Sequence, residues 1–251
     1  GFYWPTALQD ATELIKTCEA CQFHAKQIHQ PAQELQTIPL SWPFAVWGLD
    51  ILGPFPRALG GYRYLYVATD KFTKWAEVEA VRTIPARSAV KFIKGLVCRF
   101  GVPNRIITDN SSQFTSGLFR SYCGSLGTQI FYASVAHPRS NGQAERVNAE
   151  VLKGLKNRSF RKLKASCKRW IDELQSMLWS ICTTATKPTS ETPFFLIYGA
   201  EAVLPTELKH GSPRVLAFDE AHQDDLREGD LLLLEEARRR AALRGARYQQ
   251  G

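Results

Sequence analysis

Between Phe44 and Leu52 runs a strand-sized apolar stretch with one carboxylate, Asp50, inside it, closed by Gly53-Pro54. A run of that length ended by a Gly-Pro turn reads as a buried strand. An aspartate among Leu49, Ile51 and Leu52 is costly there unless it is paired or holds a cation, or its side chain reaches solvent at an edge. Gly60-Gly61 marks a turn, Tyr62–Thr69 reads as a second strand and Trp75–Val81 as a third, so the chain opens as a hairpin meander.

The period then changes. Ala89, Phe92, Ile93, Leu96, Val97 and Phe100 share one helical face. Thr83 and Pro85 suit the start of that helix, Gly101 its end, and Pro103 enforces the stop. Arg105–Thr108 is a short fourth strand ending at Asp109, Ser116–Gly124 is helical, and Thr128–Ser134 is a fifth strand. Helical patterns follow over Gly142–Phe160 and Lys168–Thr183. Three strands, helix, strand, helix, strand and further helices predict an α/β fold with a mixed five-stranded sheet flanked by helices.

Composition agrees. Of 251 residues, 44% are hydrophobic and 22% charged, which excludes a disordered, collagen-like or disulfide-stapled chain. No apolar run approaches the ~20 residues of a membrane span, and the start shows no signal-peptide pattern. Cys98, Cys123, Cys167 and Cys182 stand singly, as in a reduced intracellular protein. The net charge of +8 is uneven: residues 1–40 carry −2, residues 41–210 carry +11 and residues 211–251 carry −1. A basic middle suggests a polyanion-binding domain. The chain opens on GFYWP, ends on ARYQQG and has Met177 as its single methionine, so it is expected to be a segment of something longer. Three sections are expected: residues 1–37, helical and then a linker; 38–205, the α/β body; and 206–251, a polar linker and a helix.

Three carboxylates carry the chemistry. Alone, Asp109 suits a helix N-cap or Asx-turn, and Glu145 suits the first turn of a helix. Together they read differently. If the first strand is central and lies beside the fourth, Asp50 and Asp109 are side by side, and the next helix can bring Glu145 to the same edge. Three converging carboxylates repel unless cations neutralise them, and hard oxygen donors suit Mg²⁺ or Mn²⁺. Two such ions can clamp the attacking and leaving oxygens of an in-line phosphoryl displacement.

These residues resemble the integrases of gypsy-type long-terminal-repeat retrotransposons, common in plants. Fifty-eight residues separate Asp50 from Asp109 and 35 separate Asp109 from Glu145, and the second spacing is a mark of retroviral and retrotransposon integrases. WPFAVWGLDILGPFP, YLYVATDKFTKWAE, CRFGVPNRIITDN, AHPRSNGQAERVN and ETPFFLIYGAEAVLP follow in the family's order. The resemblance implies a ribonuclease-H-like core over 38–205, with Asp50, Asp109 and Glu145 holding two Mg²⁺ or Mn²⁺ ions. It implies 3′-end processing of element DNA by water and strand transfer by the resulting 3′-hydroxyl. It further implies double-stranded DNA as partner, homo-oligomers on DNA ends, no membrane, and a nuclear site of action after a cytoplasmic particle stage. Asp70 is not a ligand in the family pattern. Two positions depart from that pattern: Ser111 replaces a usual Gly and Ala136 a usual Tyr. Glycine there suits positive φ, so Ser111 is expected to strain the loop beside Asp109.

The same resemblance makes residues 1–37 the end of a zinc-binding domain. Cys18 and Cys21 match its C-x-x-C pair, and the two His partners would precede Gly1. His24 and His29 follow the pair and read as linker residues. Two thiolates fall short of four ligands, so zinc is expected only in the full-length protein.

Lys153, Lys156, Arg158, Arg161, Lys162, Lys164, Lys168 and Arg169 form a basic tract with no acid between Glu150 and Asp172. It reads as a solvated face or as a phosphate-contacting surface. Asn141, Gly142 and Gln143 are expected to shape an active-site loop, with Gly142 supplying freedom. In the tail helix, Glu235–Arg239 and Glu236–Arg240 are favourable i,i+4 pairs. A domesticated DNA-binding remnant is the alternative function; a ribonuclease H is disfavoured by the C-x-x-C, the 35-residue gap and the Gln-x-Glu helix.

Overall fold

The computed structural model describes Thr6, Gln9, Asp10, Glu13 and residues 42–132, 170–216 and 223–250. The chain divides into two units, Gly1–Leu35 and Gln36–Gly251. The larger unit contains one sheet of five strands: β1 (Val46–Leu52), β2 (Tyr64–Asp70), β3 (Ala76–Val81), β4 (Arg105–Thr108) and β5 (Gln129–Tyr132). Their spatial order is β3-β2-β1-β4-β5. β1, β2 and β3 pair antiparallel, while β4 runs parallel to both β1 and β5. The mixed five-stranded sheet expected from the hydrophobic pattern is therefore present, with β1 at its centre.

Helices cover both faces, which is why β1 and β2 read as nearly continuous apolar runs. On one face, Trp47, Leu49, Tyr66, Ala68 and Ile106 pack against α1 (Ala86–Phe100), α2 (Ser112–Thr115) and α3 (Gly117–Ser125). Of the expected α1 stripe, Ala89, Phe92, Ile93 and Leu96 are buried, and Val97 and Phe100 lie against the cluster. Gly101 ends the helix at φ 84°, a backbone state that glycine alone adopts freely. On the other face, Leu65 and Val67 meet Trp170, Leu174 and Met177. These last come from a 3₁₀ turn (Trp170–Glu173) and α4 (Leu174–Cys182), where a single helix from Lys168 was expected. Cys98 is a free exposed thiol, and Cys123 and Cys182 are free and buried.

Four short helices were not expected: α2 after Asp109, then α5 (Pro193–Tyr198), α6 (Pro205–His210) and α7 (Pro213–Leu216). The last three start at proline, which pre-sets the helical φ, so the signal was local chemistry rather than period. The tail is one long helix, α8 (Gln223–Gln250), with Leu234, Ala237 and Ala241 buried along one stripe. Its Arg238 donates from Nε to Leu196 O (2.8 Å) and from a terminal nitrogen to Ile197 O (3.2 Å), satisfying carbonyls at the end of α5. The expected Glu236–Arg240 pair forms at 3.9 Å between exposed side chains. No helix among the described residues is long and apolar enough to cross a membrane.

Candidate active site

The parallel pairing of β1 with β4 positions the site. Val46 faces Arg105, Trp47 faces Ile106 and Gly48 faces Ile107. Carried two residues further, the same offset sets Asp50 opposite Asp109, at the carboxyl ends of two adjacent strands. Alternation fixes the face. Asp50 pairs across β2 with Val67, which belongs to the cluster beneath Trp170 and α4, so both aspartates lie on that face. Asp50 is half-buried, and its Oδ1 accepts from Ile51 N at 2.7 Å. Asp109 is half-buried, and its Oδ1 accepts from Ser111 N at 3.2 Å. That contact is the Asx-turn its sequence suggests, closing the chain from β4 into α2.

Ser111 corrects an expectation. Its φ is −61° and its ψ 148°, ordinary extended backbone at the N-cap of α2, so serine brings no left-handed strain beside Asp109. Its carbonyl accepts from Phe114 N and Thr115 N, each at 3.1 Å. Ser111→Gly should therefore lower stability by ~0.5–1 kcal/mol, through unfolded-chain entropy, rather than relieve strain. Urea titration of the two proteins checks the sign.

Two residues that sequence reasoning passed over hold this end in place. Tyr132, at the end of β5, donates its hydroxyl to Phe114 O at 3.1 Å. Phe114 itself is fully buried against Tyr66 and Phe119, with ring centroids 6.2 and 5.3 Å apart. Trp170 donates Nε1–H to Pro56 O at 2.8 Å and packs on Phe55 at 5.1 Å. Both contacts span chain segments far apart, so no local pattern could announce them.

Asp70 lies at the opposite end of the sheet. It is fully buried; its Oδ1 accepts from Phe44 N (3.1 Å), and its Oδ2 accepts from Thr73 N (2.8 Å) and Thr73 Oγ1 (2.7 Å). Burial pushes its carboxyl above the usual range, against the opposing pull of the Thr73 hydrogen bonds and the Lys74 ammonium.

Glu145, the loop residues Asn141, Gly142 and Gln143, and the helix expected over Gly142–Phe160 lie outside the described residues. So do Lys153, Lys156, Arg158, Arg161, Lys162, Lys164, Lys168 and Arg169, and likewise Cys18 and Cys21. Among the described residues no group of three His, Cys, Asp or Glu side chains gathers as a metal site. The pair that is described fits half of one: two hard carboxylates side by side, whose mutual repulsion a divalent cation would cancel.

Residues 41–138 match the family described as "Integrase core domain". The Tf2-3 and Tf2-4 transposon polyproteins of Schizosaccharomyces pombe are each 27% identical over 233 residues, covering 90% of this chain and 17% of theirs. The chain thus spans about a sixth of the length of these relatives. Among solved structures, the simian T-cell lymphotropic virus intasome in complex with PP2A regulatory subunit B56 gamma superposes with a TM-score of 0.56. The identity there is 21%, over 78% of this chain and 68% of that one, which shows a shared fold.

Proposed function

We propose that this chain, which carries an integrase core domain like those of retrotransposon polyproteins, catalyses the metal-dependent insertion of element DNA into target DNA. The observation that supports the reading is the parallel β1–β4 register, whose offset, continued two residues past Gly48–Ile107, would bring Asp50 level with Asp109. Glu145, 35 residues on, completes an Asp-Asp-Glu set in this reading. Mg²⁺ or Mn²⁺ bound by these carboxylates would supply the charge that brings attacking and leaving oxygens into line on one phosphate. The protein's own part is positional. β1 and β4 fix two carboxylates at adjacent strand ends, and the Asp109–Ser111 hydrogen bond holds the second in its turn. No side chain becomes a nucleophile: water serves for end processing and a DNA 3′-hydroxyl for strand transfer.

The partners follow from the chemistry. Double-stranded DNA is the substrate, both as element end and as target, and Lys153–Arg169 is the candidate phosphate-contacting tract. Joining two ends to one target calls for more than one copy of the chain, and chromosomal DNA places the reaction in the nucleus. The zinc half-site Cys18–Cys21 belongs in this reading to a longer protein that supplies two histidines. The alternative is a DNA-binding remnant without catalytic activity, which the intact Asp50, Asp109 and Glu145 disfavour.

The test is a joining assay. A labelled duplex carrying the element end, incubated with the intact polyprotein-derived integrase and Mg²⁺ or Mn²⁺, should yield strand-transfer products into a second duplex. EDTA should remove them. Duplex binding with no joining in either metal would make the chain a DNA-binding remnant.

A further inference from the structure

Arg63 and Arg82 stand opposite one another at the Asp50 end of the sheet, and no ion pair between described residues includes either. The β2–β3 register pairs Tyr64 with Val81 and Leu65 with Ala80. One step outward it sets Arg63 against Arg82, and the ladder does continue, since Arg63 N donates to Val81 O at 3.0 Å. Leu65 and Ala80 belong to the cluster on the Asp50 face. Arg63 and Arg82 stand one residue beyond the ends of β2 and β3, where parity counted from Leu65 and Ala80 assigns their Cβ atoms to that face, with the Arg63 guanidinium reaching toward the neighbouring Tyr64 ring.

Like charges directly across a strand pair are destabilising. Lys91–Glu79, Arg99–Glu77, Arg240–Glu236 and Arg244–Glu191 are ion pairs between described residues, and none of them involves Arg63 or Arg82. Glu77 and Glu79 pair with Ala68 and Tyr66, which belong to the opposite face. Ile51–Thr69 contains no acid, and Ala80–Thr108 contains six basic residues and no acid. Both arginines are exposed, and each guanidinium lies within cation–π range of a tyrosine ring. The Arg82 guanidinium lies 5.8 Å from the Tyr62 ring centroid and that of Arg63 lies 6.0 Å from Tyr64. A guanidinium attracted to an aromatic ring still has N–H donors to offer a phosphate.

Position identifies the phosphate. Asp50 pairs with Val67, and Arg63 lies four residues along β2 from Val67. At ~3.4 Å per strand residue that is about 14 Å, close to four steps of a duplex whose phosphates on one strand rise about 3.4 Å each. The connection leading to Arg63 is also where Trp170 docks, through Pro56 O and the Phe55 ring. Trp170 directly follows the basic tract in sequence. We propose that Arg63 and Arg82 form a phosphate clamp that grips the DNA duplex about four base-pair steps from the scissile bond and sets its register over Asp50 and Asp109. The clamp rests on the integrase reading above, and its test separates the two.

Binding is measured without chemistry. The integrase, in EDTA, is titrated against a fluorescent duplex of ~20 base pairs between roughly 50 and 200 mM KCl. Each lost phosphate contact lowers the slope of log K against log salt by about 0.9, so Arg63→Gln/Arg82→Gln should lower it by about 2. Arg239→Gln/Arg247→Gln removes the same charge from exposed positions of α8 and should leave the slope unchanged. The free clamp variant should also melt higher than wild type at low salt, because an unbalanced pair has been removed. A wild-type slope in the clamp variant, or an equal fall in the control, overturns the clamp and leaves the integrase reading standing. So does a lower Tm at low salt, which would make the arginines props of the hairpin. A wild-type protein that binds no duplex overturns both.

Discussion

Asp109→Asn should lower strand joining by ~10³-fold or more, about 4 kcal/mol of transition-state stabilisation, while the protein stays folded. The substitution separates two roles that the same residue type can play. As an Asx-turn, position 109 needs only an oxygen to accept the Ser111 N–H, and asparagine supplies one at the same place. As a cation ligand it needs the charge, which asparagine lacks. A turn residue would leave joining intact; a ligand would not. The metal-free protein gives a second readout. Two carboxylates side by side repel when no cation lies between them, so neutralising one should raise the Tm in EDTA. Wild type should then gain Tm on addition of Mg²⁺ or Mn²⁺ by mass action, and Asp109→Asn should gain little. Asp50→Asn should behave alike, because the β1–β4 register makes the two positions neighbours. Retained joining, or a metal-induced Tm shift equal to wild type, would remove Asp109 from the metal site.

The sheet was legible because its signal is local and periodic. β4 was anticipated at its observed bounds, since Arg105–Thr108 is a buried run flanked by Asn104 and Asp109. Asp50 stood out one step further on, because a carboxylate within an apolar strand is costly enough to need a reason. The expected meeting of Asp50 and Asp109 rests on pairing, which a sequence states only as a condition: β1 has to be central and parallel to β4, and those two conditions hold. Ser111 shows the opposite case. The expectation of strain came from a family pattern, and backbone geometry at one residue, φ −61°, decided it. Arg63 and Arg82 were invisible for a related reason. They are 19 positions apart, and their opposition follows from a hairpin register that no window of sequence contains. The same holds for Tyr132 and Phe114, and for Trp170 and Pro56.

Asp70→Ala should cost ~3–5 kcal/mol of folding stability, a large fraction of what a domain this size possesses. Asp70 is the last residue of β2 and fully buried, and its carboxylate collects three donors from two segments. Phe44 N comes from the approach to β1, while Thr73 N and Thr73 Oγ1 come from the β2–β3 loop. Removing it strands those donors away from water, at ~1–3 kcal/mol for each group left unpaired. The loop has little slack, since Lys74 already sits at φ 67° and Lys71 N is committed to Val46 O at 2.9 Å. With a urea m-value of ~1–3 kcal/mol/M, the unfolding midpoint should fall by about 2 M. Asp70→Asn should cost less, because one oxygen remains to accept, and its comparison with wild type carries a pH signature. Burial raises the folded-state pKa of Asp70 above its unfolded value near ~3.9. The unfolded chain therefore ionises first as pH rises, so the contribution of Asp70 is fullest below that value and shrinks as pH climbs through the folded pKa. The stability gap between wild type and Asp70→Asn should accordingly narrow from about pH 3.5 to pH 7. A gap that widens over that interval would mean the three donors outweigh burial, and that Asp70 is held as a stabilised anion.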